Sequence, residues 1–202
     1  SSHGISNQDK IELNYDEGIK FYNNKKYSKA KESFKYVMLH SMGSRLALES
    51  EFYLSESLYN LKEYEDALYG YDNYARSSQN LELIELSRFR LCQCAYSLTT
   101  DYNKDQSATI DAIDKIEIFL EDYPRSEYYL DILSIKSELE YRLAKKEYES
   151  AILYMKLQEY KGALIYLFEI LDNNTPAIIH EDVSSINLSS NKSFGEYDIL
   201  LK

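Results

Sequence analysis

Tryptophan is absent from this chain of 202 residues, which also has only two prolines, six glycines and two cysteines. Each shortage closes off a class of structure. So few turn-forming residues favour long helices over a many-turned β fold. Cys92 and Cys94 stand two apart, so on a helix they point roughly 200° away from each other and cannot bridge. They read as small packing residues. The three histidines, His3, His40 and His180, are scattered and form no H-E-x-x-H pattern, and no C-x-x-C pair is present. Neither a zinc site nor any cofactor is expected. There is no glycine-rich phosphate loop, no G-x-S-x-G, and no histidine set with a carboxylate and a nucleophile in a recognisable motif, so catalysis is not expected. No stretch nears the roughly 18 unbroken apolar residues of a membrane span. The opening S-S-H-G-I-S-N-Q-D-K is polar and lacks an apolar signal core. That leaves a cytoplasmic protein or one from which a targeting segment was removed. Basic residues are the minority, 23 against 34 acidic, for a net charge of −11. This balance argues against nucleic acid as the main ligand and disfavours electrostatic attraction to anionic lipid.

What the chain does hold is tyrosine, 21 of them, within a composition that is 44% hydrophobic with a mean hydropathy of −0.51. Tyrosine packs its ring and keeps a hydroxyl for water or a partner. These aromatics recur at a step of 37: Tyr22, Tyr59 and Tyr96 keep it, and so do Tyr15, Phe52 and Phe89. A period between about 20 and 50 residues marks a repeat architecture, in which each unit buries its apolar face by stacking on a neighbour.

The period organises the whole chain. A polar lead-in over 1–11 precedes a helix from Glu12 to Asn23, and a second helix opens at Tyr27. Arg45 to Leu61 and Tyr64 onward repeat the pair. The third pair begins near Leu81 and has a longer internal turn, T-T-D-Y-N-K-D-Q-S-A-T. Tyr96 to Ala112 is 16 positions, where Tyr22 to Ala30 and Tyr59 to Ala67 are 8 each. Its second helix stops at Tyr123-Pro124. From Ser126, a candidate N-cap, to about Leu157 no breaker appears, predicting one helix of about 30 residues and about 45 Å. Its last part pairs with a helix carrying Ala163, Leu167 and Ile170. The expected domain is therefore an all-α helical-hairpin solenoid over 12–174, with units of about 12–44, 45–80, 81–125 and 126–174. A tail over 175–202 is expected to be irregular, with Ile178, Ile179 and Val183 covering the last pair.

Each unit has a small residue on its first helix (Gly18, Ser55, Cys92, Ala151), an aromatic three positions earlier (Tyr15, Phe52, Phe89, Tyr148), and an alanine on its second (Ala30, Ala67, Ala112, Ala163). This resembles the tetratricopeptide repeat, where small side chains let partner helices approach closely. The segments Y-D-E-G-I-K-F-Y-N-N-K-K-Y-S-K-A-K-E-S-F, D-Q-S-A-T-I-D-A-I-D-K-I-E-I-F-L-E-D-Y-P-R-S-E-Y and R-L-A-K-K-E-Y-E-S-A-I-L-Y-M-K-L-Q-E-Y-K-G-A narrow the likeness. Together with the long turn near Asp101 and the overlong helix through Arg142, they are similar to the BamD-like family of outer-membrane protein assembly lipoproteins over about 12–174. The resemblance implies a non-enzymatic scaffold on the periplasmic face of a Gram-negative outer membrane, tethered by a lipidated cysteine that this chain does not carry. Its implied partners are a BamA-like insertase and unfolded outer-membrane proteins. The chain departs from the family in its opening, which has no cysteine, and in its tail, which does not look like a further helical pair.

Two surfaces follow. Successive first helices place Tyr22, Asn23, Tyr59, Asn60, Tyr96 and Ser97 at equivalent positions, and Tyr15 precedes them. With Glu56 and Gln93 they form a candidate peptide-binding groove, where rings and amide donors would take an extended segment. The same tyrosines also fit simple packing between repeats, and Glu56 and Gln93 also fit solvated positions. The long helix offers Arg142, Lys145, Lys146 and Glu149 as a candidate partner-subunit surface; mixed charges at this spacing equally suit a solvent-facing side. The competing functions are a soluble tetratricopeptide-repeat adaptor or co-chaperone and a structural spacer of another envelope complex. Adaptors that grip C-terminal carboxylates resemble one another in having lysine and asparagine where this chain has Tyr15 and Ile19, which speaks against them.

Overall fold

The computed structural model describes residues 6–172, and these hold eight α-helices and no strand. The expectations for 175–202, including the cover by Ile178, Ile179 and Val183, lie outside the described residues. The helices are α1 Asn7–Asn23, α2 Tyr27–His40, α3 Arg45–Asn60, α4 Tyr64–Ser77, α5 Leu81–Ser97, α6 Ser107–Asp122, α7 Tyr129–Lys156 and α8 Tyr160–Asp172. Consecutive helices pack as hairpins from α1 through α5, and α1 also touches α3. The chain divides into two compact units, one of residues up to 98 with 114–129, the other of 99–113 with the residues from 130 onward.

Capping explains where the helices begin. Ser6 and Asp9 form a reciprocal capping box, so α1 starts at Asn7 rather than near Glu12, and Ile11 is buried rather than part of a polar lead-in. Ser44 and Asn80 accept hydrogen bonds from the backbone amides of Ala47 and Leu83 at the starts of α3 and α5. The turns inside the hairpins work differently. Lys25 (φ 57°), Lys62 (φ 63°) and Gln158 (φ 62°) each take the left-handed conformation. Their own amides bond back to Tyr22, Tyr59 and Met155, and the next amides reach Phe21, Leu58 and Tyr154 at 2.8–2.9 Å. These bonds close the first helix of each pair, and α2 and α4 then start without a side-chain cap. Ser126 does not cap α7 directly: its hydroxyl accepts from the Tyr128 amide, and α7 begins at Tyr129 after one more turn.

The first unit carries the aromatic core. Ala30 and Ala67 are fully buried, as are Phe34 and Tyr71 four positions on, and Ile116 of the same unit. Gly18 sits against Phe34 so closely that a Cβ there would lie 2.8 Å from the ring. Phe52, Leu58, Tyr71, Tyr74, Leu91 and Cys94 form one cluster, and Phe89 stacks on Tyr128 with ring centroids 4.2 Å apart. In the second unit Ala144, Ala151, Leu167 and Ile170 pack together between α7 and α8. Both cysteines are free and buried. Burial pushes the thiol of Cys92 up to about 12, and that thiol donates to the Lys115 carbonyl at 3.6 Å.

Candidate functional site

In the first unit, the first helices α1, α3 and α5 are laced by side chains one repeat apart less one helical turn. Tyr15 donates to Glu49 at 3.2 Å and Tyr22 donates to Glu56 at 3.0 Å, each across 34 residues. Arg90 reaches back across the same interval to Glu56 at 3.0 Å. Tyr71 of α4 adds a fourth member, donating to Glu56 at 2.6 Å. Glu56 is thus neither a solvated residue nor a free groove contact. It is 4% exposed, and its carboxylate accepts from two phenols and one guanidinium. Partnered this fully, a buried carboxylate keeps its charge without the desolvation cost of an orphan.

The electrostatics follow from this hub. Burial, then the Glu56 charge, drives the phenols of Tyr22 and Tyr71 far above the ordinary tyrosine value, so both remain donors. Burial alone would lower the Arg90 pKa, but Glu56 and the neighbouring phenols hold it above its ordinary value. Arg90 also lies 4.8 Å from the centroid of the Tyr59 ring and donates to Gln93 at 2.9 Å. Gln93 therefore belongs to the same network. Tyr59 is half-buried, edge-on to Tyr64, and burial raises its phenol while Arg90 pulls the other way.

The remaining candidates are more open. Asn23 and Asn60 end α1 and α3 and are exposed, with Asn60 donating to the Glu56 backbone carbonyl at 2.7 Å. Tyr96 is partly buried and Ser97 exposed, its hydroxyl bonded to the Gln93 carbonyl. Beside Tyr15 a hollow of about 480 Å³ is lined by Arg45, Glu49, Phe52, Tyr53, Tyr74 and Asn80, among others. Sequence reasoning missed Arg90, Glu49 and Tyr71. The signal for the first two was the offset of 34, which appears once the helix register is known.

The second candidate surface lies in the other unit, and three of its four side chains turn to their own chain. Arg142 donates to Thr99 at 2.8 Å and pairs with Glu138. Lys145 sits 4.3 Å from the centroid of the Tyr102 ring, and Lys146 donates to the Lys104 carbonyl at 2.9 Å. The eight-residue insertion is thus clasped by α7 and tied within itself: buried Gln106 donates to the Asp101 and Lys104 carbonyls and accepts from Thr109. Glu149 remains exposed. Among the described residues no group of three His, Cys, Asp or Glu side chains could hold a metal ion, and no helix is long and apolar enough to cross a membrane.

Comparison with known proteins completes the picture. The outer membrane protein assembly factor BamD of Rickettsia prowazekii (strain Madrid E) is 28% identical over 160 residues, which are 79% of this chain and 63% of that protein. The chain thus spans less than two thirds of the length of this curated relative. The family model YfiO, described as outer membrane lipoprotein, matches residues 7–199. With nearly its whole length matched, and the hairpin fold to go with it, the chain belongs to the YfiO family of outer membrane lipoproteins.

Proposed function

We propose that this chain is a non-catalytic scaffold of outer-membrane β-barrel assembly, acting on the periplasmic face of the outer membrane. In this reading it binds unfolded barrel-protein segments along the first helices of its first unit and offers a further surface to a BamA-like insertase. The observation that carries the reading is the family match over residues 7–199, joined by the likeness to an assembly factor of that name. The geometry supports the groove in a specific way. Glu56 holds the Tyr22 hydroxyl and the Arg90 guanidinium lies over the Tyr59 ring, so both half-buried tyrosines are held in place while Asn23 and Asn60 stand exposed at the helix ends. A rigid aromatic row with amide donors suits an extended peptide, because little side-chain freedom is lost on binding. Glu56, Gln93 and Arg90 then position the groove rather than touch the peptide. On α7, with Arg142, Lys145 and Lys146 clasping the insertion, Glu149 is the member left to face an insertase.

The test is a titration with a peptide copied from the C-terminal strand of an outer-membrane barrel. Asn23→Ala with Asn60→Ala is expected to weaken binding at least fivefold with helicity intact. Undiminished affinity in that variant removes the groove. A second reading, a spacer that binds only by its edges, draws on the same Glu56 network, which would stiffen the hairpin stack. It predicts no peptide binding by the unaltered chain.

A further inference from the structure

We propose that one end of the first unit rests on a phospholipid surface, with Leu39, Met42 and Leu81 entering the interfacial layer. The proposal uses the family membership but not the binding of barrel segments. Helices joined by short connections and packed side by side run antiparallel. The starts of α1, α3 and α5 and the ends of α2 and α4 therefore share one end of the unit. Both connections between hairpins lie there, and large apolar side chains stand in water at each: Leu39 at the end of α2 and Met42 just after it, 71% and 83% exposed, and Leu81 at the start of α5, 80% exposed. A groove of about 750 Å³ lined by Met38, Leu39, Met42, Leu54 and Ser77 brings the first connection beside the end of α4. The opposite end, made of the turns inside the hairpins, differs in kind: its exposed residues are polar, the lysines Lys25, Lys26 and Lys62 with Asn23, Asn24, Asn60, Glu65 and Asp66.

Three apolar knobs at one end and lysines at the other make a polarised unit. Isolated exposed apolar residues, such as Leu13 and Ile118 elsewhere in this unit, need no explanation, but the unit's three most exposed non-aromatic ones all flank the connections at one end. Gly43, at φ 77°, turns the first connection so that Met42 stands clear of the helices. Ser6, where the described chain starts, is at this same end, so an anchor attached on the N-terminal side would hold the knobs near a bilayer. Charge does not drive the contact, because the chain carries −11 overall. Apolar insertion does, and it would be weak alone, acting as a second signal beside a tether. The surface therefore need not be strongly anionic, and the contact should resist salt.

The absence of tryptophan makes the test direct. The full chain, with an N-terminal polyhistidine tag, is held on vesicles of phosphatidylethanolamine and phosphatidylglycerol containing a small share of nickel-chelating lipid. In Met42→Trp, the sole indole is expected to shift to the blue and to be quenched at least twofold by brominated acyl chains, at low and high salt alike. Glu65→Trp, at the lysine end, is expected to stay in water. Adding Leu39→Ser and Leu81→Ser to Met42→Trp should abolish the shift while circular dichroism stays unchanged. An indole at 42 that remains water-exposed on the tethered protein overturns the proposal, as does equal quenching at 42 and 65. So does a shift at 42 that appears only with an added protein and not with lipid.

Discussion

Tyr22 and Glu56 stand 34 residues apart and are joined by a 3.0 Å hydrogen bond from phenol to carboxylate, which ties α1 to α3. The same carboxylate ties α3 to α4 through Tyr71 and to α5 through Arg90. One acidic side chain thus joins four helices, α1, α3, α4 and α5. Glu56→Ala leaves a partly buried guanidinium without its anion and two phenols without their acceptor, and is expected to cost about 3 kcal/mol in chemical denaturation. Tyr71→Phe removes one hydrogen bond to a charged group and should cost about 1.5–3 kcal/mol. Arg90→Met combined with Glu56→Leu should recover only part of the loss: apolar groups replace the ion pair, but the phenols of Tyr22 and Tyr71 still lose their acceptor.

Gly70 of α4 faces Ser55 of α3, and a Cβ at position 70 would overlap the Ser55 hydroxyl while lying 3.4 Å from the Ser55 Cβ. Gly70→Ala alone is expected to destabilise by about 1–3 kcal/mol through overpacking. Ser55→Ala removes the offending oxygen, so the double variant should be more stable than Gly70→Ala. A double-mutant cycle read from denaturant midpoints measures this coupling.

Lys62 holds a left-handed conformation that costs a residue with a Cβ about 1 kcal/mol or more. Lys62→Gly relieves that cost but gains freedom when unfolded, so the expected change lies between zero and about 1 kcal/mol of stabilisation. Lys62→Val, β-branched at a positive φ, should lose about 1–2 kcal/mol. Thermal melts of the two variants should move in opposite directions or, at the least, separate clearly.

Glu51 is half-buried, and burial raises its carboxyl above the ordinary value near 4.5, a hydrogen bond from Asn73 offsetting only part of this. The folded state therefore holds this proton to higher pH than the unfolded state does. Its contribution to stability is present below the unfolded value and declines as pH rises through the folded one. Glu51→Gln should consequently stabilise the protein at pH 7 and change it little at pH 4. Melting temperatures at the two pH values check the sign.

Much of the fold was legible because close packing restricts residue size. Gly18, Ser55, Cys92 and Ala151, with Ala30, Ala67, Ala112 and Ala163, sit where helices meet, and that spacing can be read without coordinates. The starts of α2 and α4 at Tyr27 and Tyr64 followed from the same register. Glu56 was less legible: a glutamate on a polar-looking helix face gives no sign that a tyrosine and an arginine from its two neighbouring first helices converge on it. Arg142, Lys145 and Lys146 misled for a related reason. Charges at helical spacing look solvent-facing, and only residues 99–104, whose Thr99 hydroxyl, Tyr102 ring and Lys104 carbonyl they meet, turn them inward. The start of α1 was set too late because the Ser6 and Asp9 capping box precedes the first strongly apolar run.

The clasp between α7 and the insertion has a mechanical consequence. Near its middle, through Arg142, Lys145 and Lys146, this 28-residue helix grips residues 99–104, and toward its end it packs on α8 through Ala151. A force or a bound molecule that displaced the gripped segment would be delivered along a stiff lever to the last hairpin, whereas loosening Arg142 or Lys146 would let the two respond separately.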